Sequence, residues 1–267
     1  MPRPILATIH TAALRHNLAR TRAAAPEARI WAIVKANAYG HGIERAYQGL
    51  RGADGFALLD LEEAERVRRL GWRGPILLLE GVFELRDLEL CSRLELWHTV
   101  HCEEQIDMLA THKTKLPHRV FLKLNSGMNR LGFTPQRYRA AWTRLNALPQ
   151  VDEISLMTHF SDADGVLGIA SQMAVFTAVT RDLPGERSLC NSAATLRHKV
   201  PESEWVRPGI AIYGSAPDFP QYNAADWDLQ PAMTLASKII GVQHLVPGDS
   251  VGYGSTFVAD QPLRIGI

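Results

Sequence analysis

What most limits the fold of this chain is a rhythm. From Ile30 onward a short apolar run is followed by a polar loop and then by a stretch that can be helical, and the cycle turns eight times. The runs are Ile30–Val34, Gly55–Leu59, Pro75–Leu79, Leu94–Val100, Val120–Leu124, Glu153–Met157, Ser188–Cys190 and Gly209–Tyr213. This is βα punctuation, and it places the chain in the α/β class. Eight units predict a closed (β/α)8 TIM barrel rather than an open doubly wound sheet, because the count fits and no strand leads into a GxGxxG fingerprint.

The intervening helices have signals of their own. Asp60 and Glu63 have capping-box spacing ahead of Leu61, Ala64 and Val67, and Gly71 ends that pattern. Thr134 and Pro135 can start a helix with Tyr138, Trp142, Leu145 and Leu148 on one face, stopped by Pro149. Glu103–Ala110 and Ser171–Leu183 read similarly.

After Ser215 the character changes. Residues 216–231 are rich in Pro, Asp and Asn, and Met233–Val242 and Ser250–Val258 then read as strands around the turn at Pro247, Gly248 and Asp249. The expected organisation is a barrel over residues 11–225 and the beginning of a mainly β C-terminal domain over 226–267, joined by an N-terminal strand within 1–10. The last run, Leu263–Ile267, ends inside another expected strand, so this β domain is expected to be incomplete.

A chain of 267 residues, 46% of them hydrophobic, can bury a large core. With 29 basic against 28 acidic side chains the net charge is +1, which gives no general reason to expect nucleic acid or an anionic membrane as partner. The three cysteines, Cys91, Cys102 and Cys190, contain no CxxC pair, so neither a disulfide framework nor a cysteine-rich zinc site is expected. The runs Pro4–Ile9 and Ile76–Leu79 are too short for a signal sequence or a membrane span, and a cytoplasmic location is expected.

In a barrel the site is built where strands end, so the residues after each apolar run come first. The first strand delivers Lys35, Asn37, Tyr39 and His41 in VKANAYGHG; the fifth delivers Lys123, Asn125, Met128 and Arg130 in FLKLNSGMNRLGF. His159, Asn191, Ser192, Arg207 and Tyr213 follow at or beside later strands. A lysine at a strand end can serve as a Schiff-base nucleophile in an enclosed pocket, or simply snorkel from the rim. His159 reads as a base, a partner to a charge or a structural histidine. Tyr39 can donate to an anion or pack with its hydroxyl wet. Asn191, Ser192 and the backbone of Gly209 and Ile210 can form a phosphate cradle, while an ordinary cap on the helix after Asn191 is the plainer reading. His98, His101 and Cys102 are ligand types, but the odd histidine spacing puts the pair on opposite faces of a strand, so no metal site is expected. No HExxH, P-loop or GxSxG segment occurs. Arg66, Arg68 and Arg69 lie beside Glu62, Glu63 and Glu65 and read as a solvated helix face.

Taken in order, VKANAYGHG, KLNSGMNRLGF, LMTHFSDAD, NSAATL, WVRPGIAIYG and VGYGSTF closely resemble bacterial alanine racemase, particularly its catabolic branch, over essentially the whole chain. The resemblance implies a fold-type III pyridoxal 5'-phosphate enzyme that interconverts L- and D-alanine as a homodimer, with a barrel followed by a β domain. It implies that Lys35 forms the internal aldimine and acts as one base, and that the partner subunit's Tyr253 is the base on the opposite face. By the same likeness Tyr39, Ser192, Gly209, Ile210 and Tyr213 are the phosphate set, with Arg207 facing the pyridine nitrogen and His159 orienting it. Arg130 would contact the cofactor phenolate and the substrate carboxylate, supported by Met128 nearby and by Lys123 as a carbamylated lysine. Members of the family continue beyond this point, so the competing expectations are a silent cofactor-binding fragment and, against the joint presence of Arg207 and Tyr253, a related decarboxylase or cofactor-homeostasis protein.

Overall fold

In a strand, successive side chains point to opposite faces, so a run of four or five residues can serve a barrel interior and an outer helical layer at once. The computed structural model describes residues 3–114, 116–200 and 202–267; Met1 and Pro2, at the head of the expected N-terminal strand, lie outside the described residues. After β1 (Ile5–Ile9) and the helix Thr11–Ala24 come β2 (Arg29–Ile33), β3 (Gly55–Leu58), β4 (Ile76–Leu78), β5 (Trp97–Val100), β6 (His118–Lys123), β7 (Val151–Met157), β8 (Arg187–Ser188) and β9 (Trp205–Val206). Strands β2 to β9 close a barrel of parallel neighbours, sealed where Arg29 and Ile30 pair with Trp205 and Val206.

Trp31, Ile33, Ala57, Leu77, Phe121, Met157 and Trp205 form an enclosed cluster of their own inside the barrel. Their alternates, among them Ile30, Ala32, Phe56, Leu58, Val120 and Leu122, belong to the larger core shared with the outer helices. The Trp31 and Trp205 rings stack at 4.1 Å, and Trp97 meets Trp31 edge-on at 5.5 Å. Gly55 makes room for this plug: a Cβ there would lie 2.2 Å from Trp31 Cζ3. The barrel is therefore a packed core at this level and not a pore.

The expected eighth strand is displaced. The ladder residues are Trp205 and Val206, whereas Ile210–Tyr213 forms a 3-10 turn. Pro208 explains the shift, since it has no amide proton to donate to a ladder and interrupts the run. The helix Leu61–Arg69 begins after Asp60 as expected, but Asp60 makes no side-chain cap and the capping box does not form. Pro135 takes the first position of the helix Pro135–Asn146, whose Tyr138 and Leu145 are fully buried.

The chain divides into two compact units, one of them Ile9–Met233, the other taking in the residues before Ile9 and Thr234–Ile267. In the second, β1 pairs with β10 (Met233–Ser237), β11 (Val242–Leu245) pairs with β14 (Leu263–Gly266), and β12 (Ser250–Val251) pairs with β13 (Phe257–Val258). Both long strands expected here are therefore broken. Met233–Val242 splits between β10 and β11, and Ser250–Val258 bends through a 3-10 turn at Tyr253–Ser255 where Gly252 and Gly254 take φ of 76° and 74°. Among the described residues no helix is long and apolar enough to cross a membrane.

Candidate active site

The inward parity of the barrel strands carries through to their C-terminal ends and just beyond. Two residues beyond Ile33 stands Lys35, two beyond Phe121 stands Lys123, two beyond Met157 stands His159, and two beyond Trp205 stands Arg207. All four line one cavity of about 380 Å³ at the C-terminal ends of the strands, above the aromatic plug. Alternation thus produces an apolar layer and, one step higher, a polar one.

Lys35 enters this cavity from a backbone that L-residues rarely adopt. Ala36, Asn37, Ala38 and Tyr39 all take φ between 53° and 57°, and Gly40 continues at 82°. Each such non-glycine residue costs about 1–2 kcal/mol, so the surroundings must hold the turn. Within it the Ala38 amide donates to the Val34 carbonyl (2.8 Å), the Gly40 amide to Ala36 (3.0 Å) and the Gly42 amide to Asn37 (2.9 Å). The turn brings Lys35 and Tyr39, four residues apart, to the same cavity. Tyr39 stacks on Tyr213 at 4.8 Å, and burial raises its phenol pKa.

A second loop delivers Arg130. The Asn125 amide donates to the Phe133 carbonyl and the Phe133 amide to the Lys123 carbonyl, both at 2.9 Å, so the chain leaves β6 and returns beside it. Within the loop Asn125 Oδ1 accepts the Gly127 and Asn129 amides at 3.2 and 3.0 Å. Lys123, Arg130, Arg207 and Lys35 then face the cavity together, with Glu80 and Asp164 as the acids at its wall.

The electrostatics follow from that crowding. Burial, reinforced by Arg207 and Arg130, lowers the Lys123 amine to about 8. Burial lowers Arg207 to about 10, so it stays charged near neutrality. Its guanidinium is spent on fixed acceptors: Ser188 Oγ (2.7 Å), the Thr158 carbonyl (2.6 Å) and His159 Nδ1 (3.2 Å). Because arginine only donates, His159 Nδ1 holds a lone pair and its proton sits on Nε2. Burial, then Arg207 and Lys123, drive His159 down to about 2, and the ring is neutral.

Opposite lies a cradle of amides and a hydroxyl. Ser192 Oγ accepts the Gly209 and Ala211 amides at 2.9 and 3.2 Å, tying the 3-10 turn to the start of the helix Ser192–Arg197. Asn191 is the cap of that helix, its Oδ1 accepting the Ala194 amide at 3.0 Å, so the plainer reading of Asn191 holds while the residue still lines the cavity. Gly209 leaves room for Tyr39: a Cβ would lie 2.5 Å from the phenolic oxygen and displace it.

The structure thus gathers Lys35, Tyr39, Lys123, Arg130, His159, Asn191, Ser192, Arg207, Gly209 and Ile210 around one cavity. Tyr213 is not at its wall. It is buried below Tyr39, and its hydroxyl donates to the Ile33 carbonyl at 2.8 Å, which spends the proton a phosphate would use. Met128 shares the Arg130 loop but does not line the cavity, and Tyr253 belongs to the other unit, where it is fully exposed. Glu80 and Asp164 were missed, although Glu80 directly follows an apolar run and the strand-end rule reaches it. His98 and His101 do part company: His98 packs against His118 outside the barrel, and the His101 ring reaches the Glu80 carbonyl.

Comparison with known proteins places this geometry. Residues 9–217 match the family described as alanine racemase, N-terminal domain. The chain is 78% identical over 275 residues to an alanine racemase of Albidiferax ferrireducens and 75% identical over 270 residues to one of Polaromonas, in each case with 100% of this chain aligned to 74% of the relative. Among solved structures it superposes on the biosynthetic alanine racemase of Pseudomonas aeruginosa with a TM-score of 0.93 at 42% identity, covering 99% of this chain and 75% of that one.

Proposed function

Because the chain belongs to the alanine racemase family, we propose that it interconverts L- and D-alanine with pyridoxal 5'-phosphate as cofactor, moving the α-proton between the two faces of the amino acid. The observation that carries this reading is the convergence of Lys35, Tyr39, Lys123, Arg130, His159 and Arg207 on one cavity.

The residues fit an anionic aldehyde. Tyr39, Ser192 and the amides of the first turns at Ser192 and Ile210 are donors suited to a phosphate, while Lys35 offers an amine to the aldehyde carbon. Arg207, fixed by three acceptors and charged at neutral pH, can only donate, so a ring nitrogen facing it accepts a hydrogen bond, meets a positive charge and stays unprotonated. When bound, the cofactor supplies an electron-withdrawing ring that stabilises the carbanion left by loss of the α-proton. Lys35 moves that proton on one face. The partner subunit's Tyr253 moves it on the other, which requires a homodimer, and the full exposure of Tyr253 leaves it accessible to a second copy. Arg130 holds the substrate carboxylate. An amine lowered to about 8 is partly unprotonated and can add carbon dioxide, so Lys123 carries a carbamate that offsets its cationic neighbours. A cytoplasmic location belongs to the same proposal.

The test is L-to-D alanine conversion by this polypeptide with added pyridoxal phosphate, with an absorbance scan of the same sample. Conversion that disappears in Lys35→Ala is the expected result. A Lys35-dependent cofactor band without conversion would instead identify a cofactor-binding fragment, and turnover of diamino acids would replace the reaction.

A further inference from the structure

Glu63 stands on the helix Leu61–Arg69, one βα unit away from Lys35, where the sequence marks it only as half of a capping box. Its carboxylate is used elsewhere. The residue is 7% exposed, its Oε1 accepts the Asn37 amide at 2.6 Å, and Oε2 has no partner among the described residues. Asn37 is the second residue of the left-handed turn, midway between Lys35 and Tyr39. Its Oδ1 in turn accepts from Arg66 Nη2 (2.8 Å) and the Ile43 amide (3.2 Å), and Arg66 is itself braced on Glu44 at 2.7 Å.

A left-handed run of four non-glycine residues is unfavourable for the isolated chain, so whatever fixes its middle amide fixes its ends. A buried carboxylate is the strongest acceptor an amide can find in a protein. The other brace, Arg66, is half-buried and makes its contact on the solvent side, where it is correspondingly weaker.

We propose that Glu63 is a positioning residue: by holding the Asn37 amide it maintains the turn that presents Lys35 and Tyr39 to the cavity. The proposal rests on the function above only for what that cavity binds. It separates reach from charge, because glutamine keeps an acceptor oxygen at the same distance while aspartate keeps the charge but falls one methylene short.

Glu63→Gln and Glu63→Asp are compared with the parent chain by amide hydrogen exchange of residues 36–42 without cofactor, by the dissociation constant for pyridoxal phosphate from absorbance titration, and by thermal melting. Glu63→Asp is expected to speed exchange at Asn37 and to weaken pyridoxal phosphate binding, each about tenfold, the scale of one lost charge-assisted hydrogen bond. Glu63→Gln, which keeps the acceptor oxygen without its charge, is expected to fall between the parent and Glu63→Asp in both. Parent-like exchange at Asn37 in Glu63→Asp, or equal loosening in both variants, overturns the proposal. A parent chain that shows no Lys35-dependent cofactor band counts against the function reading alone, since exchange at Asn37 decides this one without cofactor.

Discussion

Replacing Lys123 by methionine, of similar length but uncharged, is expected to stabilise the barrel. Lys123 is 8% exposed, and the amine that holds its proton to 10.5 in a solvated chain gives it up at about 8 in the fold, because burial and the neighbouring Arg207 and Arg130 disfavour a further cation. Between those values the unfolded chain binds the proton and the folded chain does not. Below pH 8 the whole difference is charged against folding, and it corresponds to about 3 kcal/mol. For a unit of this size that is roughly 6–12 °C in melting temperature. The assay is thermal unfolding of cofactor-free parent and Lys123→Met at pH 7 in buffer purged of carbon dioxide. The sign has a second consequence: parent stability rises with pH between 8 and 10.5, so the advantage of the variant should be constant below pH 8 and shrink above it. A variant that melts at or below the parent at pH 7, or an advantage indifferent to pH, would refute the reasoning. Added bicarbonate should raise only the parent, because a carbamate replaces a cation by an anion; no response would sink the carbamate and leave the burial argument standing.

Gly209→Ala puts a Cβ 2.5 Å from the Tyr39 hydroxyl, and should weaken pyridoxal phosphate binding about tenfold with little change in melting, as one displaced hydrogen bond would; an unchanged dissociation constant would mean Tyr39 is no donor there. Gly55→Ala meets Trp31 Cζ3 at 2.2 Å and should cost about 1–3 kcal/mol or more through overpacking, seen as a lower urea midpoint. His98, His118 and His159 are lowered to about 3, 4 and 2, first by burial. The unfolded chain therefore takes up these protons first, and stability should fall as pH drops from 6.5 toward 4, with a slope approaching about 4 kcal/mol per pH unit. His98→Leu should remove about a third of that slope in urea titrations, because the ring is buried against His118; an unaltered slope would show that His98 is protonated in the fold.

The barrel was legible because its signal is repeated and local. Short β-branched and aliphatic runs bounded by turn residues announce strands wherever both faces are buried. The eighth strand failed for a reason inside the sequence: Ile210–Tyr213 is as apolar as any run, but the ladder had already ended at Pro208. In the C-terminal unit Gly252 and Gly254 similarly break what hydropathy reads as one strand. The site residues at strand ends were readable from the barrel rule, and Glu80 would have been read had the rule been applied to every strand. Tyr213 lies off the cavity wall, which its motif does not reveal because it fixes only the residue's position in the chain. That its hydroxyl is spent on Ile33 depends on a strand nearly the whole barrel away in sequence. Glu63 was misread for the opposite reason, a good local motif overridden by a tertiary acceptor role at Asn37.

The inward file of the barrel divides into two layers with opposite energetic signs. Trp31, Trp97, Phe121 and Trp205 below are apolar, stacked and stabilising. Lys35, Lys123, Arg130 and Arg207 above converge with, among the described residues of the wall, Glu80 and Asp164 to oppose them, a layer that no chain selected for stability alone would build. Gly55→Ala and Lys123→Met, which change one residue in each layer, must therefore move stability in opposite directions. A cationic cavity of this kind gains most from binding an anion, because the ligand supplies the charge that folding lacked. In buffer purged of carbon dioxide, which keeps Lys123 an amine, pyridoxal phosphate should accordingly stabilise the parent chain more than Lys123→Met, in which part of that charge deficit has already been removed. Equal stabilisation of the two would mean that Lys123 does not contribute to the field the ligand feels.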